Sequence, residues 1–157
     1  MTNYKELSKD ELINLVEVLK IDPTYGVYSR ASLELSPPQG ECIIFWDIDN
    51  MHTLNAELSY QGVDEKIKRV CRRIREVDGH LRIIRWYSGD EFIYSCNNSD
   101  ALGAANRILS MFAAEGIGIT VGVASVKGDQ WLSAVTRASS FVQRAKFVER
   151  RGTINYF

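Results

Sequence analysis

Apolar and polar positions divide the chain into alternating helices and strands. Ser8-Lys9-Asp10-Glu11 has the form of a capping box, and Leu12, Leu15, Val16 and Leu19 repeat behind it at helical spacing, which predicts a short amphipathic helix. Its default role is a lid on the core; a signalling-helix stub and a dimerisation element are the alternatives. Asp22-Pro23 stops the helix, a turn-rich segment runs to Arg30, and Ser36-Pro37-Pro38-Gln39-Gly40 marks a loop. Cys42-Ile43-Ile44-Phe45-Trp46-Asp47-Ile48 is a continuous apolar run with acid at its end, the pattern of a central strand buried on both faces.

A helix can start near Asn50, and a second from Asp64 carries Ile67, Val70, Cys71, Ile74 and Val77 as its inward stripe. Its other face holds Lys66, Lys68, Arg69, Arg72, Arg73 and Arg75, read as a solvated cationic face in preference to a grip on nucleic acid. Arg82 to Tyr87 and Phe92 to Cys96 read as the strands of a hairpin, with Gly89 expected to supply a positive φ at the turn. Ser99 is placed as the cap of a helix with Leu102, Ala105, Leu109 and Phe112 inward, ending near Gly116. Ile117, Ile119, Val121 and Val123 then alternate with Gly118, Thr120, Gly122 and Ala124. The small face admits a helix or a ligand close to the backbone, and a helix is preferred. Asp129 opens the last helix, with Leu132, Val135, Val142 and Ala145 inward, and Gly152 ends it before a strand-like 153–157. The order predicts an α+β fold: a central mixed sheet with an acidic β-hairpin beside the Asp47 strand, flanked by helices. The division is an N-terminal helix over 1–20 and one domain over 21–157.

With 157 residues, 45% of them hydrophobic, the chain supports one sizeable core. A net charge of -1 provides no global pull on nucleic acid or an anionic membrane. No run approaches the roughly 20 apolar residues that span a bilayer, and the first residues lack a signal peptide's apolar segment, so a cytoplasmic protein is expected. Cys42, Cys71 and Cys96 have no CxxC spacing and sit in apolar contexts as core thiols.

The remaining chemistry is carboxylate and cation. Asp90 and Glu91 sit together at the hairpin tip, where adjacent anions need solvent, a cation or a ligand to compensate them. Asp47 and Asp49 share a face only if the strand runs through both, so Asp47 alone is secure. Asp47 with Asp90 or Glu91 can hold one or two Mg²⁺ ions for in-line attack on an α-phosphorus, which is nucleotidyl transfer. Lys146 and Arg150, four apart, either converge on an anion or complement a helix C-terminus.

These residues resemble those of GGDEF-domain diguanylate cyclases. Ser88-Gly89-Asp90-Glu91-Phe92 is similar to the signature itself, and Asp22 to Arg30 to the DPLTGLxNR segment. Phe45 to His52 resembles DxDxFK, Ile119 to Ala124 the TxSxGVA strand, and Ala145-Lys146 with Arg150 the AKxxGR segment. The resemblance spans Asp22 to Phe157 in order. It implies a nucleotidyl-cyclase, palm-like domain that condenses two GTP into cyclic di-GMP with release of pyrophosphate. Asp47, the Ile48 carbonyl and Asp90 would bind Mg²⁺ or Mn²⁺, with Glu91 assisting catalysis or a metal. Asn55 and Asp64 would read guanine, Lys146 and Arg150 would neutralise the β- and γ-phosphates, and Ser88 and Gly89 would line the nucleotide. A homodimer, at least transient, is implied, because each subunit holds one GTP; any further signalling partner is unspecified. Gly79-His80-Leu81-Arg82 stands where many relatives carry RxxD, which implies no product inhibition of that kind. Ser88 in place of the first glycine, His52 in place of Lys, and Ser139 and Gln143 in the last helix depart from the pattern. Ser88 and the altered last helix support the alternative, a catalytically inactive GGDEF-like GTP-binding or protein-interaction module.

Overall fold

The apolar run ending in Asp47 is the centre of the molecule. The computed structural model describes residues 4–77, 82–87, 89–128 and 130–156. In chain order the elements are α1 (Lys9–Leu19), β1 (Ile21–Asp22), β2 (Val27–Tyr28), α2 (Ser32–Leu35), β3 (Cys42–Ile48), α3 (Met51–Val77), β4 (Ile84–Arg85), β5 (Glu91–Cys96), α4 (Ala101–Ala114), β6 (Ile119–Ser125), α5 (Trp131–Phe147) and β7 (Ile154–Tyr156). The strands form one mixed sheet in the order β1-β2-β4-β5-β3-β6-β7, with β3 antiparallel to both β5 and β6.

Alternation along β3 sorts the two layers. Ile44, Trp46 and Ile48 share a core with Ile67, Val70 and Cys71 of α3 and Ala105, Ile108 and Phe112 of α4. Trp46 stacks on Phe92 with ring centroids 5.4 Å apart. Ile43 and Phe45 point the other way, into a second core with Ala134, Val135, Ala138 and Val142 of α5. Asp47 follows that second alternation, so the acid at the end of β3 faces the layer to which α5 belongs.

The small face of β6 serves helix packing, as preferred from the sequence. A Cβ added to Gly122 would stand 2.1 Å from the Ala138 carbonyl oxygen, so only glycine lets α5 lie this close to the sheet. The capping box also forms: the Ser8 hydroxyl accepts the Glu11 N–H at 3.2 Å, and Glu11 accepts the Ser8 N–H at 2.8 Å.

Several expectations are corrected. Helix α1 is no lid, because none of its residues is buried and Leu12, Val16 and Leu19 are exposed. Val77, Leu102 and Leu132 are exposed too, while Val63 and Ile108 take up core positions. All three lie within the first or last turns of their helices, where Ile74, Ala101 and Ala134 take the inward face instead. The turn-rich segment contains the β1–β2 pair, with the short α2 beyond it. The two helices placed at Asn50 and Asp64 are both present, but the second begins ahead of Asp64, at a kink on Ser59, which adopts φ 66°, ψ 161° and whose hydroxyl accepts the Gly62 N–H at 3.2 Å. A 3₁₀ turn over Asn98–Asp100 precedes α4, so Ser99 is not its cap. Helix α5 ends at Phe147, before Gly152, and Asp129 lies outside the described residues. Among the described residues no helix is long and apolar enough to cross a membrane.

Candidate active site

Register builds the acidic centre. Asp47 on β3 pairs with Glu91 on β5 and with Thr120 on β6. Two carboxylates directly opposite on one face of an antiparallel pair repel, so a cation nearby stabilises this end of the sheet. The hairpin is pinned to the strand end: the Ile48 N–H donates to the Asp90 carbonyl at 3.1 Å, and the Trp86 N–H to the Glu91 carbonyl at 2.7 Å. The positive φ expected of Gly89 turns on Ser88, outside the described residues. The lack of a side chain at Gly89 has a use of its own, since a Cβ there would lie 3.0 Å from Arg85 Nη2. Ser88 lies outside the described residues, as do Gly79, His80 and Leu81.

The cation within reach is Lys146. Its ammonium donates to the Ile48 carbonyl at 3.1 Å and lies 3.2 Å from Asp47 Oδ2 and 3.3 Å from Asp49 Oδ1. Even so, the Asp47 carboxyl is pushed up to about 6, because burial outweighs the Lys146 charge and Asp90 and Glu91 push in the same direction as burial. Asp47 Oδ1 is buried with no hydrogen-bond partner. An orphaned carboxylate oxygen in an acid-rich strand end fits a divalent cation held by Asp47, the Ile48 carbonyl and Asp90. Among the described residues no three Asp, Glu, His or Cys side chains form a metal cluster. The proposed set needs only two carboxylates, consistent with a Mg²⁺ that takes its other ligands from water and phosphate.

Asp49, left open by the sequence, has a different role from Asp47. It is 5% exposed, and its carboxylate accepts from Thr120 Oγ1 at 2.6 Å and from the Gly152 N–H at 3.1 Å. It ties β3, β6 and the C-terminal tail together. The only signal of this in the sequence is the small, polar Thr120 in the midst of an apolar strand.

The base-reading candidates lie on α3. Asn55 is half-buried with Oδ1 unpartnered. Asp64 acts on the buried Tyr25, whose phenol is held well above its usual range first by burial, then by Asp64, with Asp90 adding to the effect and Arg85 opposing it. Tyr25 is thus acted on by both the hairpin acid and the α3 acid, a link the sequence did not disclose. Arg85 closes the same corner: it bridges to Asp22 at 2.8 Å and lies 4.6 Å from the centre of the Tyr25 ring. Arg150 is exposed along a groove with Phe141, Arg144 and Asn155, so it is not gathered at Asp47 as Lys146 is. Arg151 lines a separate hollow with Asn50 and Thr53 at the start of α3. Arg82 is spent on structure, its guanidinium donating to the Ser32 carbonyl and hydroxyl, each at 3.1 Å, and to the Ser36 carbonyl.

No protein-family sequence model matches the chain, and no curated protein matches it in sequence. Solved structures do match in fold. The diguanylate cyclase SiaD of Pseudomonas aeruginosa, solved with its activator SiaC, aligns with a TM-score of 0.76 at 21% identity over 98% of this chain and 68% of its own. A microbial GGDEF domain solved with cyclic di-GMP aligns at 0.75 and 22% identity over 88% of this chain and 99% of its own. The S helix-GGDEF-EAL portion of Vibrio cholerae LapD, bound to cyclic di-GMP, aligns at 0.75 and 18% identity over 94% of this chain and 39% of its own. The chain has the fold of GGDEF domains, with the mixed α+β architecture expected of it.

Proposed function

We propose that this chain is a Mg²⁺-dependent diguanylate cyclase that condenses two GTP into cyclic di-GMP and releases two pyrophosphates. The observation that carries the reading is the strand end itself: Asp47 faces Glu91 in register and keeps one buried oxygen unpartnered, and the next residue, Ile48, donates its N–H to the Asp90 carbonyl. Asp47, the Ile48 carbonyl and Asp90 would hold Mg²⁺ or Mn²⁺, which supplies Lewis-acid polarisation of the α-phosphate and acidifies the attacking hydroxyl.

The rest falls to the chain's own groups. Asp64 accepts from guanine N1 and N2, a donor pair adenine lacks, and Asn55 offers its free Oδ1 to the base edge. Lys146 and Arg150 neutralise the β- and γ-phosphates. As the 3′-oxygen of one GTP bonds to the α-phosphorus of the other, Glu91 accepts the hydroxyl proton and pyrophosphate leaves. Two subunits must face each other for this, so a homodimer forms at least transiently. Arg82, tethered to α2 and without the RxxD acid, supports turnover free of product inhibition of that type.

Incubation with labelled GTP and Mg²⁺ or Mn²⁺, followed by nucleotide separation, tests the reading, with Asp90→Ala as the control. Cyclic di-GMP from the wild type and none from the variant is the expected result. GTP binding with no cyclic dinucleotide at high protein concentration would establish the second reading, a catalytically silent GTP-binding module. The Lys146 ammonium beside Asp47 and the Ile48 carbonyl is the observation that favours it.

A further inference from the structure

Lys146 meets the same two groups, Asp47 and the Ile48 carbonyl, that would hold a metal, and a third oxygen on Asp49 completes the set for its three N–H donors. A side chain reaching only for a phosphate has no need of this arrangement. The geometry does meet another need. Asp47 and Glu91 are opposed in register, and an acidic strand end of this kind has to be held together in the absence of a divalent ion. Lysine suits the task, being a compact charge on a flexible four-carbon stem that can leave without disturbing its helix. Its neighbour Ala145 is buried against the sheet and fixes the backbone from which that stem swings.

We infer that Lys146 is a built-in counter-cation that keeps the metal-binding groups assembled and is exchanged for the metal when it binds. The inference rests on the reading that Asp47 and Asp90 take a divalent ion. It adds a coupling to that reading: the ammonium is freed for the phosphates only when the metal has entered, so GTP without metal meets a site whose lysine is already engaged.

The test needs no turnover. Mn²⁺ alone is titrated into the full chain as wild type, Lys146→Met and Asp47→Asn, with free Mn²⁺ followed by electron paramagnetic resonance. A lysine seated on the site about nine-tenths of the time lowers the apparent metal affinity about tenfold, so Lys146→Met is expected to bind Mn²⁺ about tenfold more tightly than the wild type. In EDTA its thermal midpoint lies below that of the wild type, and Mn²⁺ raises it further. Equal or weaker binding by Lys146→Met overturns the inference; if Asp47→Asn abolishes binding in that same experiment, the metal reading itself stands. Absence of Mn²⁺ binding by both wild type and Lys146→Met overturns both. A second measurement uses the wild type only. Acylation of Lys146 by an amine-reactive ester, read by peptide mass spectrometry, is expected to accelerate on addition of Mg²⁺, and an unchanged or slower rate counts against exchange.

Discussion

The two halves of the candidate site are built on different kinds of support. Asp47 sits on a strand held from both sides, and its neighbours across the sheet are fixed by register. Asn55 and Asp64 sit on either side of the Ser59 bend in α3, where the backbone adopts a conformation almost reserved for glycine. Nine residues of unbroken α-helix make two and a half turns, about 180° of rotation, and would set the two side chains on opposite faces. The bend removes that restriction. The strand half therefore gains its geometry from pairing and must find a cation for its stacked acids, whereas the helix half gains its geometry from local strain and leaves Asn55 Oδ1 free.

Substitution at the strand end gives the sharpest contrast. Asp47→Asn is expected to lower cyclic di-GMP formation by at least about 100-fold, the scale on which removal of a group aimed at developing charge acts, while leaving stability within about 1 kcal/mol, because loss of the Oδ2 contact with Lys146 is offset by relief from burying a carboxylate. Asp49→Ala should do its damage to folding. It strips partners from the buried Thr120 hydroxyl, the Gly152 N–H and Lys146, at a cost of about 3 kcal/mol in urea unfolding. If the two substitutions exchanged these outcomes, the division between a working acid and an anchoring acid would be wrong.

On the helix half the expected effects are on choice of base. Asp64→Asn turns one acceptor oxygen into a donor, and the preference for GTP over ATP, read by competitive binding, should fall by about 10- to 100-fold, the equivalent of about 1–3 kcal/mol. Ser59 comes next. Ser59→Ala favours continuing the helix through the bend and removes the hydroxyl that accepts the Gly62 N–H. GTP affinity is expected to drop about tenfold, one 1.4 kcal/mol step. Ser59→Gly keeps the bend without strain, and because glycine is nearly as good a cap, affinity should hold. Equal GTP affinity in the Ala and Gly variants would detach the bend from base reading.

Much of the strand half was legible in the sequence and little of the helix half was. A run such as Ile43 to Trp46, short, β-branched and aromatic, has the pattern of a doubly covered strand, and the acids at its end and at the hairpin tip are local features. What the sequence could not convey is which partner crosses to them. Lys146 reaches Ile48 across 98 positions, and Thr120 reaches Asp49 across 71, so both contacts depend on how α5 and β6 dock on β3. The break between the two helices was expected, but its position and form were not: serine at position 59 reads as an ordinary helix residue or a cap, and nothing in its type announces a positive φ. The faces of α4 and α5 were misjudged only near their first turns, at Leu102 and Leu132, where the smaller Ala101 and Ala134 are the inward residues.

The smallest expected effect returns to the strand half and asks whether it too carries strain. Helix α5 closes with the Arg150 N–H on the Ala145 carbonyl at 2.7 Å and the Glu149 N–H on the Lys146 carbonyl at 3.2 Å. Glu149 takes the left-handed position between them at φ 57°. Helix ends of this kind favour glycine there, which is also what the AKxxGR pattern has, because a Cβ in that conformation costs roughly 1–2 kcal/mol. Glycine gives part of that back through the greater freedom of its unfolded chain. Glu149→Gly is therefore expected to raise stability by about 0.5–1 kcal/mol in urea unfolding. Mn²⁺ affinity should stay at the wild-type value, because the closing hydrogen bonds hold Lys146 in the same place with either residue. A gain in stability together with a changed Mn²⁺ affinity would mean that the left-handed Glu149 helps to aim Lys146, and that both halves of the site draw their geometry from strain.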